Sequence, residues 1–172
     1  MAIRVDVYTA LGVARGVVAR SGHLRDVLEA GGDLRVERAT WQSLDDVAPA
    51  PVGEMRITVD DIVIAVGDDE PSIPVHASWH ELRIVAPPYA LAGEMPTLPG
   101  YDPGRALARP TGEFVLLRDV RMAVGDDVGL ARPLAPLAHV NRYVVERVAA
   151  DLMLGFYFPG AILEDVDETV HA

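Results

Sequence analysis

The sequence has no cysteine in its 172 residues. That excludes disulfides, thiolate metal sites and cysteine nucleophiles. Lysine is missing too, so all 15 basic residues are arginine. Without lysine there is no P-loop lysine and no Schiff-base chemistry. Aromatic residues are only 6%, so a core must be assembled from Val, Leu, Ile and Ala. Positive charge is scarce: 26 acidic residues leave a formal charge of -11. Binding to a phosphate backbone needs a basic surface, so nucleic acid is not an expected partner. No apolar run reaches the roughly eighteen residues of a membrane-spanning helix. The start, Met1-Ala2-Ile3-Arg4-Val5-Asp6, shows neither an apolar signal core nor a small-residue cleavage site. The expectation is a cytoplasmic protein with no membrane partner.

What is present is enough for a packed interior. Half the residues are apolar and 24% are charged, which fits one ordinary domain or two small ones. An all-arginine cation set suits bidentate recognition of carboxylate or phosphate. A GC-rich genome also favours arginine, together with Ala, Gly, Pro, Val and Asp, and the scattered arginine positions fit that simpler source. Only four serines occur, and none lies in a G-x-S-x-G elbow.

The strongest signal is internal self-similarity. VDVYTALGVARGVVAR from Val5 aligns with LRIVAPPYALAGEMPT from Leu82 when Gly16 is placed on Gly93. LRDVLEAGG from Leu24 then meets GRALARPTG from Gly104. DLRVERATWQSLDD from Asp33 meets EFVLLRDVRMAVGDD from Glu113, and VDDIVIAV from Val59 meets VNRYVVERV from Val140. The four blocks keep their order and nearly equal spacing. The domain division expected is residues 1–67, a linker 68–81, residues 82–150, and an apolar C-terminal segment with an acidic tail, 151–172.

Each copy has the same inventory. A strand is followed by a glycine-interrupted bent strand, with Val5, Val7, Val13 and Val17 as its apolar positions. A short helix comes next: Leu24, Val27 and Leu28 before Gly31, and Asp102-Pro103 to Pro110 in the second copy. A third strand alternates, with Phe114, Leu116, Val120 and Met122 on one parity and Leu117, Asp119 and Arg121 on the other. A final strand pair turns at Asp60-Asp61 and at Asn141-Arg142. Pro87-Pro88 must lie at an edge or a turn. The apolar segment Leu152–Leu163 is expected to cap the fold or to add a strand, with packing on another subunit as the alternative.

The fold expected is therefore mainly β: two tandem small five-stranded barrels, each with one short helix. The pattern of Gly16, Arg25-Asp26-Val27-Leu28, Val36 and Val59-Asp60 in one copy has a counterpart in the other. That counterpart is Gly93, Arg105-Ala106-Leu107, Leu116-Leu117-Arg118-Asp119 and Val140-Asn141-Arg142. In these residues the chain resembles an uncharacterised bacterial domain type of the Sm-like or SH3-like small-barrel class. The resemblance implies a fold and assembly through strand edges, and no activity.

Candidate chemistry is sparse. Arg38, Arg118 and Asp119 fall near the end of the third block in both copies, where they suit either a ligand-contacting groove or an intramolecular ion pair. Asn141 and Arg142 open the last block and join them as candidate binding residues. His76 and His80 are four apart and would share one face of a helix as metal ligands. In a strand they would lie about 13 Å apart, too far to chelate one ion directly. The acidic pairs, such as Asp45-Asp46 and Asp126-Asp127, read as solvated turns. No cofactor is implied. The functional expectation is a non-catalytic interaction or assembly module, with a protein partner or self-association. The alternatives are a metal-assisted hydrolase using His76, His80 and nearby acids, and Sm-like nucleic-acid binding.

Overall fold

The computed structural model describes residues 2–19, 22–69, 73, 77–97, 112–150 and 157–165. It is mainly β, with one α-helix among these residues. The chain divides into two compact units. The first is Met1–Ser72 with His139–Asn141, and the second is Ile73–Ala138 with Arg142–Ala172. Among the described residues no helix is long and apolar enough to cross a membrane.

The first unit contains β1 (Ala2–Thr9), β2 (Gly12–Ala19), α1 (Leu24–Glu29), β3 (Asp33–Ser43), β4 (Ala50–Thr58) and β5 (Ile62–Gly67). A 3-10 turn, Val59–Asp61, joins β4 to β5. The strand order is β5-β1-β2-β3-β4. Alternation explains the buried face. Ile3, Val5 and Val7 point inward from β1, opposite Val18, Gly16 and Ala14 of β2. Leu34, Val36, Ile57, Ile62 and Ile64 complete that core, closed by Leu24, Val27 and Leu28 of α1. Val17, one of the apolar positions of the bent-strand pattern, sits beside Gly16 on the opposite parity to Ala14 and Val18 and is only half-buried.

Asp68, which is exposed, and Asp69, which is half-buried, open the expected linker and are hydrogen-bonded to the first unit. The Arg4 amide donates to Asp68 Oδ1 at 2.9 Å, and the Leu24 amide at the start of α1 donates to Asp69 Oδ2 at 2.9 Å. Ser78–Glu81, the far end of that expected linker, already belong to a strand. The soft stretch Asp45 to Gly53 likewise gives way to β4 from Ala50 onward.

The second unit contains β6 (Ser78–Ala86), β7 (Tyr89–Thr97), β8 (Phe114–Val124), β9 (Arg132–Asn141, its last three residues in the first unit), β10 (Arg147–Ala150) and β11 (Ile162–Asp165). The order is β11-β10-β6-β7-β8-β9. Pro87 and Pro88 make the turn between β6 and β7. Leu82, Ile84, Tyr89, Leu91, Leu117, Val120, Val148 and Phe158 form its core. The C-terminal apolar segment adds a strand here, with Ile162 to Asp165 running parallel to Arg147 to Ala150. The helix expected over 102–110 lies outside the described residues.

The sheets are open, which corrects the expectation of two closed five-stranded barrels. Closure would need β5 to meet β4, and β10 to meet β9. The free side of β5 is instead occupied by the end of β9, with Ile64 opposite Val140 and Ala65 opposite His139. The free side of β10 carries β11. A strand has only two hydrogen-bonding edges, so both closures are blocked.

Both units bend at the same device. Arg15 pairs with Thr40 and Val17 with Glu37, so Arg38 and Ala39 together face Gly16. Ala92 pairs with Arg121 and Glu94 with Arg118, so Asp119 and Val120 together face Gly93. Two residues against one is a β-bulge. The first bulged residue has φ +49 at Arg38 and +50 at Asp119, a left-handed backbone that L-residues adopt reluctantly.

Candidate functional site

Each bulge reverses the inward parity of its strand, and in the second unit the reversed strand borders a groove. On β6, Leu82 and Ile84 are buried while Glu81 and Arg83 are exposed on the opposite face. A row of four residues crosses this outer face. Ala149 of β10 lies opposite Arg83 of β6, Arg83 opposite Ala92 of β7, and Ala92 opposite Arg121 of β8. Glu81 faces Glu94 one step along the strands. These residues, with Asp119 at the rim, line a concavity of about 440 Å³. A second hollow of about 340 Å³ continues from Arg83 and Ala149 past Arg147 and the Asp126–Gly129 turn.

The charges of the groove fall into two classes. Some are held internally. Arg118 Nε donates to Glu94 Oε2 at 2.6 Å, and its guanidinium lies 3.9 Å from the centroid of the Trp79 ring. That combines a charge-assisted hydrogen bond with a cation–π contact. Arg121 Nη2 donates to the Ala131 carbonyl oxygen at 2.8 Å, which orients a guanidinium with further donors to spare. Arg147 Nη1 reaches Glu164 Oε1 at 3.5 Å. Others are uncommitted: among the described residues, neither Glu81 nor Arg83 has an ion-pair or side-chain hydrogen-bond partner.

The structure distributes the sequence-derived candidates unevenly. Asp119 is at the groove rim with its side chain 76% exposed. Arg118 is beside the groove and takes the ion-pair option, with Glu94. Arg38 is exposed at the bulge of the first unit. The expected alignment of Arg38 with Arg118 shifts by one: by bulge geometry Arg38 corresponds to Asp119. Arg142 is buried, with Nη2 donating to the Tyr143 hydroxyl at 3.1 Å and the guanidinium 5.0 Å from that ring's centroid. His80 is on β6 with Nε2 2.8 Å from Thr97 Oγ1. His76 lies outside the described residues. Among the described residues no three metal-ligating side chains gather in one place.

Asn141 is a structural residue of the first unit. It is 1% exposed, and its Nδ2 donates to the Ile62 carbonyl oxygen at 3.0 Å. A buried carbonyl that loses its donor keeps its desolvation cost. Asn141→Ala is therefore expected to lower stability by about 2 kcal/mol, read as a reduced urea midpoint at unchanged slope. An unchanged midpoint would remove Asn141 from the list of structural ties.

No protein-family model, curated protein or solved structure matches this chain.

Sequence patterning does not single out Glu81, Arg83, Ala92 or Arg121 as a site. The available signal is the exposed parity of LRIV and of its neighbours. That parity becomes informative only once the strand partners are known, since the row spans three ladders.

Proposed function

We propose that the chain is a non-catalytic interaction and assembly module, derived by duplication of a small five-stranded unit with Sm-like or SH3-like strand order, that self-associates through a strand edge. The two units share the order last-first-second-third-fourth, β5-β1-β2-β3-β4 and β10-β6-β7-β8-β9. They also share the bulge facing Gly16 and Gly93. That agreement in backbone detail supports common descent of the halves.

The observation that carries the reading is β11. It ends its strand order, and it exposes Ile162 at 64% and Leu163 at 44%. Among the described residues no strand pairs with its outer edge, and an edge strand carrying exposed apolar side chains is a template for pairing with another chain. The end strand of the first unit, β4, is guarded. Pro51 lacks an N–H, Gly53 has φ +78, and Glu54 accepts from Arg35 at 2.7 Å.

Sedimentation equilibrium across a range of concentrations tests this. The unaltered chain is expected to form dimers or larger closed assemblies, and Leu163→Lys with Ile162→Lys to leave a monomer of unchanged β content. A chain that stays monomeric up to about 1 mM, a binding free energy weaker than about 4 kcal/mol, would overturn self-association through this edge.

A further inference from the structure

We propose that the outer face of the second unit binds a small zwitterion of the amino-carboxylate class, with Arg83 and Arg121 taking the carboxylate and Glu81 taking the ammonium. The two units carry corresponding rows on their outer faces. In the first unit the row is Val66, Asp6, Arg15 and Thr40, read across the same ladders. There Arg15 occupies the place of Ala92 and lies 3.6 Å from Asp6, which occupies the place of Arg83. The row neutralises itself and is filled by the arginine side chain.

In the second unit the same positions hold arginine, alanine and arginine. Two like charges flank a methyl group, with Cα positions about 10 Å apart across two strand spacings. No carboxylate among the described residues lies within ion-pair distance of Arg83, although Asp126, Asp127 and Glu164 line the neighbouring hollow, and Arg121 is anchored by its bond to the Ala131 carbonyl with donors left over. Long guanidinium arms over an alanine floor can converge on one carboxylate, the geometry in which arginine is strongest.

The second charge selects the ligand. Glu81 lies two residues before Arg83 on the same face, about 7 Å away along the strand, and it too is uncommitted among the described residues. Its cross-strand neighbour Glu94 is already committed to Arg118. Asp119 stands at the rim. A simple anion would satisfy the arginines and be repelled by Glu81 and Asp119. A molecule with a carboxylate and an ammonium satisfies both rows at once. The 440 Å³ opening is within the size range of small-ligand pockets.

The experiment is a titration of the full-length isotope-labelled chain followed by amide NMR. L-lysine and 4-aminobutyrate are the probes, and acetate, inorganic phosphate and ethylammonium are the controls. The amino-carboxylates are expected to shift the Arg83, Ala92 and Arg121 amides saturably, with the controls at least about tenfold weaker, since each lost charge-assisted bond is worth about one decade. Arg83→Gln and Glu81→Gln should each weaken the probes by about tenfold or more. Ala92→Arg, which fills the row as Arg15 does in the first unit, should abolish the response. Each variant alters a residue on the outer face, and a retained dispersed spectrum verifies the fold. Phosphate or acetate binding as well as the probes would overturn the zwitterion assignment. No saturable shift up to about 20 mM, or shifts that survive Arg83→Gln, would overturn the site itself.

Discussion

Gly16→Ala is expected to cost the first unit about 3 kcal/mol, while Gly93→Ala costs the second unit only about 1 kcal/mol. Both glycines face the two-residue side of a bulge, yet the space around them differs. A Cβ at Gly16 would meet the Glu37 carbonyl oxygen at 2.5 Å and Val36 Cγ1 at 2.6 Å. Backbone would have to move, and with it the pairing of β2 with β3 and the core contacts of Val36, which is fully buried. A Cβ at Gly93 would meet the Arg118 carbonyl oxygen at 3.1 Å, with Leu117 Cβ and Val120 Cγ2 both at 3.6 Å. That is tight but can be absorbed by a small shift. The two tryptophans allow the units to be followed separately, because Trp41 is on β3 and Trp79 on β6. Urea titrations of single-tryptophan variants should show the midpoint of the Trp41 transition falling well below that of the parent for Gly16→Ala. Equal losses at the two positions would contradict the close approach at Gly16.

Acid is expected to destabilise the first unit through His139. This residue is 4% exposed at the end of β9, paired with Ala65 of β5. Burial pushes its pKa down to about 4, a change that the nearby Asp69 and Glu29 carboxylates oppose and Arg25 reinforces. In the unfolded chain the imidazole titrates near its ordinary value of about 6.5. Between these two values the unfolded state holds a proton that the folded state does not. Stability therefore falls as pH falls from about 6.5 toward 4, and the loss is complete below the folded value. The full contribution is on the order of 3 kcal/mol, since each tenfold drop in proton affinity corresponds to about 1.4 kcal/mol. His139→Gln should flatten the urea midpoint across this window relative to the parent, while carboxylate titrations common to both proteins remain. Parallel curves for the two proteins from about pH 7 to about pH 4.5 would show that His139 is not the group responsible.

The local devices of the fold are legible in the sequence, and the long-range pairings are not. Gly16 and Gly93 announce the bend, since a glycine within a strand pattern has few other uses. Leu24, Val27, Leu28 and Gly31 announce α1. Parity misleads wherever a bulge intervenes. Period two groups Phe114 and Leu116 with Val120 and Met122, but Leu117 is the fully buried residue and Leu116 is half-buried. The frame slips at Asp119, and a left-handed aspartate leaves no mark in a period-two pattern that a glycine would have left. Barrel closure fails for a different reason. It depends on which strands occupy the spare edges of β5 and β10: the partner of β5 is the end of β9, far along the chain, whereas β11 follows β10 directly and is the strand addition the apolar C-terminal segment suggests. The groove is hidden by the same cause. Arg83 is visible in the sequence as one of 15 arginines, but its alanine neighbour across the ladder is not. The metal reading from His76 and His80 rests on a residue outside the described ones and on another engaged with Thr97.

The bond from the Leu24 amide to Asp69 also orders events as the chain folds. A six-residue helix is far below the length that holds together by itself in water. Its leading end is pinned by a carboxylate 45 positions downstream, immediately after β5. Until β5 has zipped onto β1 and brought that carboxylate into place, the segment relies on local capping by His23 and Asp26. The helix is accordingly a late arrival among the local elements of this unit, and a ribosome must release the acidic stretch after Gly67, and later the His139–Asn141 strand end, before the first unit can finish.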